Sequence, residues 1–186
     1  MNGTTDDPTL HDRIELTYLP ALADVREAVR VTLDAARWWR ALRLAAYGAA
    51  ALAFLVALLE LLLPGEPDPG TVAGMAGLGA AAVVVVRLMG WAVARALFLA
   101  VRAQGEARAV VDAEGGRWAA RDTEQVIRWA MLPRYAETDR LFVLLTPRRT
   151  GSGFAYLPKH GLADPADADR LRALLDRHSS RLRRHA

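Results

Sequence analysis

Few residues in this chain have types and spacings that could carry chemistry. Gly151-Ser152-Gly153 sets a serine between glycines, but a nucleophile elbow needs wider glycine spacing on a strand-to-helix turn, whereas this run reads as a hairpin loop. Asp164, Asp167 and Asp169 could form a carboxylate cluster. They fall where a first helical turn is expected, so capping of free amides accounts for them, and no EF-hand glycine or terminal glutamate follows. His11, His160, His178 and His185 lie apart, with no His-x-x-x-His pair. No phosphate-cradling or dinucleotide fingerprint is present. The absence of cysteine removes disulfides, thiolate metal sites and thiol nucleophiles together. The expectation is a protein with no catalytic residue, no metal site and no cofactor.

The remaining candidates are ionisable and aromatic residues beside apolar segments. Glu60 stands inside an otherwise apolar run and is the intramembrane ionisable candidate. It lies one turn before Pro64, with no basic residue at matching depth, so it reads as a side chain reaching the interface. Trp38, Trp39, Arg40 and Arg43 precede that run, and Arg87, Trp91 and Arg95 recur every fourth residue after the next one. Amphipathic rings beside cations suit lipid headgroups, so these seven are the membrane-interface candidates.

The elements that must position them follow from hydropathy. The pooled composition, 53% hydrophobic and 24% charged with net charge +3, averages a very apolar half with a polar one. Leu44 to Leu63 is apolar apart from Tyr47 and Glu60, about the ~20 residues a helix needs to cross a bilayer. A second uncharged run, Thr71 to Val86, reaches spanning length if Arg87 snorkels. Between them, residues 64–70 carry three prolines and two glycines and predict an external turn. Arginines flank the outer ends of the pair, and the turn has none. Both termini are therefore expected on the cytoplasmic side, in a bacterial cytoplasmic membrane crossed twice. Heavy use of alanine, arginine and glycine suits a bacterial genome. Small residues recur at helix-face spacing: Ala45, Ala49 and Ala53, then Gly70, Ala73, Gly74, Gly77 and Ala81. They are expected to pack the hairpin against itself, with homo-oligomerisation as the alternative.

The flanks complete the division. Residues 1–20 form a polar tail with a short edge strand at Ile14–Tyr18 that stops at Pro20; 21–43 form an amphipathic juxtamembrane helix; 44–63 and 71–104 are the two membrane helices, the second extended into the cytoplasm; 105–186 form a cytoplasmic domain. Strand-like runs are expected at 107–113, 117–121, 125–131, 140–146 and 153–157. A helix follows, opened by Asp164 as N-cap and Pro165, with Leu171, Leu174, Leu175 and Leu182 on its apolar face. The fold class is thus an α+β membrane protein, with a two-helix transmembrane hairpin and a C-terminal antiparallel β domain capped by a helix, in the order of a pleckstrin-homology-like (PH-like) fold.

Ile14-Glu15-Leu16-Thr17-Tyr18, the hairpin, Ile127-Arg128-Trp129, Glu137-Thr138-Asp139-Arg140-Leu141-Phe142 and Tyr156-Leu157-Pro158-Lys159, as an ordered set over nearly the whole chain, resemble the YcxB-like bacterial membrane proteins. Arg87 in the second span and His160-Gly161 depart from the pattern. The resemblance implies a membrane hairpin with a PH-like domain and no assigned enzymatic activity. The leading functional expectation is a non-enzymatic membrane protein whose cytosolic domain binds a protein or lipid partner. One alternative is an oligomeric transport or efflux component using Glu60 and Arg87. The other is nucleic-acid binding by the arginine-rich tail from Arg177 to Arg184, less favoured than membrane lipid as a partner of that charge.

Overall fold

The computed structural model describes residues 13–63, 68–147 and 153–182. Ser152 with its neighbour Gly151, and the tail beyond Leu182, lie outside the described residues, so the hairpin-loop reading and two of the four arginines of the basic tail fall there. The chain divides into two compact units. One holds residues up to Thr32 and from Arg95 onward; the other is Leu33–Ala94. The protein is α+β, with two long apolar helices followed by a sheet domain.

In the first unit, strand β1 (Ile14–Tyr18) is followed by helix α1, which starts at Leu22. The chain leaves for the second unit and comes back to form β2 (Ala107–Val111), β3 (Gly115–Ala119), β4 (Glu124–Arg128), β5 (Arg134–Glu137), β6 (Leu141–Leu145), β7 (Phe154–Pro158), α4 (Asp167–His178) and the two-residue β8 (Ser180–Arg181). One antiparallel sheet has the order β1-β2-β3-β4. The other runs β7-β6-β5-β8, with β8 parallel to β5. An antiparallel bridge from Leu16 to Leu162 links β1 to the segment after β7. The edge strand read at Ile14–Tyr18 thus pairs with β2 in register from Ile14↔Val111 to Tyr18↔Ala107. This sheet cannot form until residues on both sides of the apolar hairpin have come together.

All five residues of β6 are buried, as a strand with no polar alternation must be if it is covered on both faces. Leu171, Leu174 and Leu175 of α4 are buried as well. Two β3 glycines are fixed by contact: a Cβ on Gly115 would lie 2.2 Å from the Ile127 carbonyl oxygen, and one on Gly116 would lie 2.4 Å from the Trp118 ring. The chain turns just before them, with Asp112 accepting hydrogen bonds from the Glu114 and Gly115 amides at 2.8 and 3.1 Å.

Several boundaries differ from expectation. The helix expected over 21–43 is divided: α1 spans Leu22–Ala35, Ala36 is extended (φ −81°, ψ 120°), and Arg37 opens the next helix. The strand expected over 125–131 stops at Arg128, and Trp129–Met131 form a 3-10 turn. Helix α4 begins at Asp167, because residues 164–169 are joined by three i to i+3 bonds that wind one tight turn before it. Asp164 caps that turn by accepting from the Ala166 amide at 2.8 Å.

The second unit is the hairpin itself. It consists of α2 (Arg37–Leu62) and most of α3 (Pro69–Arg102). Asp68 caps α3: its carboxylate accepts from the Gly70 and Thr71 amides, both at 3.1 Å, and from the Thr71 hydroxyl at 2.7 Å. With Pro69 in the first helical position, the helix start is the one its sequence calls for. These bonds, the Thr71 hydroxyl first, hold the Asp68 carboxyl below its ordinary pKa.

Candidate functional site

Helices α2 and α3 are each long and apolar enough to cross a membrane, with mean hydropathy 2.1 and 2.0 over their most apolar stretches. Only 11% of each stretch is buried. Leu52, Phe54, Leu61, Leu78, Val85 and Leu88 are all more than half exposed. The two helices meet through Gly79, where an added Cβ would lie 3.2 Å from the Ala50 carbonyl oxygen and 3.6 Å from the Ala53 Cβ. Ala53, Ala57, Gly79 and Val86 are buried. Of the small residues expected to pack the hairpin, only Ala53 does so; Ala45, Ala49, Ala73, Gly74, Gly77 and Ala81 are exposed. A 3.6-residue period turns a face steadily, so a stripe picked by spacing alone cannot tell which of several alanine faces meets the other helix.

The interface candidates do not share one environment. Trp38 is exposed, Trp39 is buried, and their rings meet edge-on at 5.7 Å. Arg40 is exposed; Arg43 donates to Asp34 Oδ1 at 2.8 Å. Arg87, Trp91 and Arg95 are exposed on α3, and Glu60 is partly buried near the end of α2.

Two clusters that sequence reasoning did not single out lie in the sheet domain. The first centres on Glu137 at the end of β5. Its Oε1 accepts from Lys159 Nζ at 2.8 Å and Arg172 Nη2 at 2.7 Å; its Oε2 accepts from Arg172 Nε at 2.9 Å and Arg181 Nη2 at 2.8 Å. The carboxylate side chain is 7% exposed. Four charge-assisted donors lower its pKa from 4.5 to about 2, the Arg172 hydrogen bond contributing most. Both oxygens are engaged, so this group joins β5, the turn after β7, α4 and β8, and has no lone pair oriented for a substrate proton. Arg172 also binds Asp169, and Asp167 binds Arg170 at 2.7 Å. Tyr135 donates to Asp176, drawing α4 onto β5 a second time.

The second cluster surrounds Asp24, fully buried in the first turn of α1. Its Oδ1 accepts from Arg140 Nη2 at 2.9 Å. Its Oδ2 lies 3.8 Å from His160 Nε2 and has no hydrogen-bond partner among the described residues, and the Tyr156 hydroxyl is similarly buried and unpaired. The Tyr18 and Tyr156 rings are 5.8 Å apart. Burial, with Asp24 adding to it, pushes the Tyr156 phenol up to about 12, and burial also raises Tyr18. Both phenols stay neutral at physiological pH. The sequence did carry a signal, since Asp24, Ala28 and Thr32 repeat at helical spacing beside Val25 and Val29, and all five are buried. An acid in a first turn reads as a dipole partner, which hid its place on the buried face.

Trp129 stacks on His178 with centroids 5.1 Å apart and planes 6° from parallel. Both line a shallow cleft of about 390 Å³ with Pro133, Asp176 and Ser179. The Ser179 hydroxyl donates to the Leu132 carbonyl at 2.5 Å, so its proton is already committed.

Glu137, Thr138, Arg140, Leu141 and Phe142, with Tyr156, Leu157 and Lys159, thus supply the ion pairs, the turn closed by Thr138 and much of the core. Residues 111–175 match the model of the YcxB-like protein family. That segment runs from the last residue of β2 into α4, about a third of the chain. The YcxB-like match takes in both sequence motifs that build the Glu137 cluster and stops short of β1, α1 and the hairpin, over which the resemblance was also expected. No curated protein and no solved structure matches the chain.

Proposed function

We propose that this is a bacterial integral membrane protein of the YcxB-like kind, non-enzymatic, whose PH-like domain presents a cytosolic surface to a protein or lipid partner. The observation that carries it is the uncovered apolar surface of α2 and α3. Leu52, Phe54, Leu55, Leu58, Leu59 and Leu61 alone are 41–65% exposed. Leaving about half of each side chain in water forfeits on the order of 6 kcal/mol in total, comparable with the net stability of a domain. A lipid environment removes that cost. The 26 residues of α2 extend ~39 Å at 1.5 Å per residue, enough for a ~30 Å core.

Topology supports a hairpin rather than a single span. Strands β1 and β2 pair over five residues while the apolar helices lie between them in the chain. An even number of crossings is required to return β2 to β1. Arginines flank both outer ends and are absent from the turn, which favours a cytoplasmic domain and cytoplasmic termini. What favours a PH-like assignment is the succession of four antiparallel strands, three more, and a closing helix, with the hairpin inserted after the first strand.

Two measurements test the reading. Alkaline extraction of membranes should leave the full-length chain in the pellet; release into the supernatant would overturn the membrane assignment. Photo-crosslinkers placed at exposed domain positions such as Asp122 and Asp139, in native membranes, should give a discrete lipid or protein adduct. Hydrolysis or group transfer by the purified full-length protein on a substrate screen would overturn the non-enzymatic assignment.

A further inference from the structure

We propose that the outer edge of β4 is an interface with a second copy of this chain, formed by antiparallel β4–β4′ pairing about a two-fold axis at Val126. Strand β4 ends its sheet, and among the described residues no strand pairs with its far side. It is five residues long, Glu124-Gln125-Val126-Ile127-Arg128, and contains neither proline nor glycine. Edges of this kind are ready to take another strand unless charge or a bend repels it.

The direction of the free backbone groups follows from the β3–β4 turn. The Ala120 amide donates to the Thr123 carbonyl at 2.8 Å, making 120 and 123 a hydrogen-bonded pair. Bonded and non-bonded pairs alternate along an antiparallel ladder. Residues 125 and 127 therefore direct their amides and carbonyls at β3, opposite Trp118 and Gly116. Glu124, Val126 and Arg128 direct theirs outward, and all three side chains are on the exposed face.

A copy of the same strand fits this edge in one register. With Val126 on the axis, Val126 faces Val126 of the copy, and Glu124 faces Arg128 of the copy in both senses. All three outward residues then sit in bonded pairs, two opposite charges meet twice, and the exposed valines cover each other. Centring the axis on Gln125 or Ile127 sets a charge against valine. Glu124 is 60% exposed, and its contact to Arg117 at 3.6 Å is loose, so it remains able to turn to a new partner. A strand of another protein would have to reproduce the Glu-x-Val-x-Arg order by coincidence; a second copy has it by identity.

The test uses full-length protein in native membranes. The chain has no cysteine, so Val126→Cys introduces a unique thiol. Facing Cα atoms in a bonded pair are ~5.5 Å apart, within reach of a short bismaleimide, and a crosslinked homodimer is expected. Adding Glu124→Arg, or separately Arg128→Glu, replaces two attractive contacts with two repulsive ones and should cut the yield about tenfold. Co-expressing the two single-reversal chains, or combining both reversals in one chain, should restore it. The rescue separates loss of pairing from misfolding. A Val126→Cys chain that stays monomeric, that couples instead to another protein or to lipid, or whose charge reversals do not rescue each other overturns the proposal.

Discussion

Replacing Glu137 by glutamine tests the ion cluster most sharply. The carboxyl falls from 4.5 to about 2 on folding, which at ~1.4 kcal/mol per pH unit corresponds to about 3 kcal/mol of stability. Arg181 is half exposed and Arg172 about a third, so water replaces part of what they lose. We therefore expect Glu137→Gln to cost about 2 kcal/mol at pH 7. In a domain of this size that is a fall in Tm of about 10 °C. The assay is thermal unfolding of full-length protein in detergent, followed by fluorescence of Trp118 and Trp129 in a background where Trp38, Trp39 and Trp91 are replaced by phenylalanine. The sign with pH is fixed: the folded pKa is depressed, so the stabilisation is complete above pH 4.5 and disappears as pH falls toward 2. The gap between wild type and variant should shrink through that window. A gap under about 0.5 kcal/mol at neutral pH, or one unchanged at pH 2.5, would refute the reasoning.

Three further outcomes follow from the same contacts. Asp24→Asn should cost about 1 kcal/mol or less, because the ion pair it loses, to a half-exposed arginine, is offset by no longer burying a full charge; denaturation at pH 7 checks this against Glu137→Gln. Gly115→Ala should cost about 3 kcal/mol, since its Cβ would press on the Ile127 carbonyl at 2.2 Å and backbone must move; amide exchange in β3 and β4 should accelerate. Gly79→Leu should separate α2 from α3, read as faster amide exchange around Ala50 and Ala53 in micelles, while Gly77→Leu, at a position open for 4 Å around, should leave that exchange unchanged.

The apolar helices were legible because membrane-spanning length and charge placement are properties of composition, independent of what the segment touches. Most strands were legible for a similar reason: glycine and acidic turn residues bracket short apolar runs. Strand β5 was missed because Arg134-Tyr135-Ala136-Glu137 is four residues with no alternation, held by β6 on one side and β8 on the other. Strand β8, two residues long, has no period to detect. Spacing could place Asp24 on the buried face of α1 but could not name the partners of either ion cluster, which come together only on folding: Asp24 meets a residue 116 positions away, and Glu137 meets residues 22, 35 and 44 positions away. The hairpin's inner face was also hidden, because alanine-rich helices offer several equivalent small-residue faces and Gly79 is chosen by contact.

The central claim, that α2 and α3 cross a membrane and return the chain to one side, is tested most directly by single-cysteine labelling of intact cells. A membrane-impermeant maleimide should modify Asp68→Cys, at the start of α3, from outside, and should reach Asp122→Cys and Asp139→Cys in the sheet domain only after permeabilisation. Equal labelling of all three positions before and after permeabilisation, or recovery of the full-length chain as a monodisperse species without detergent, would contradict it.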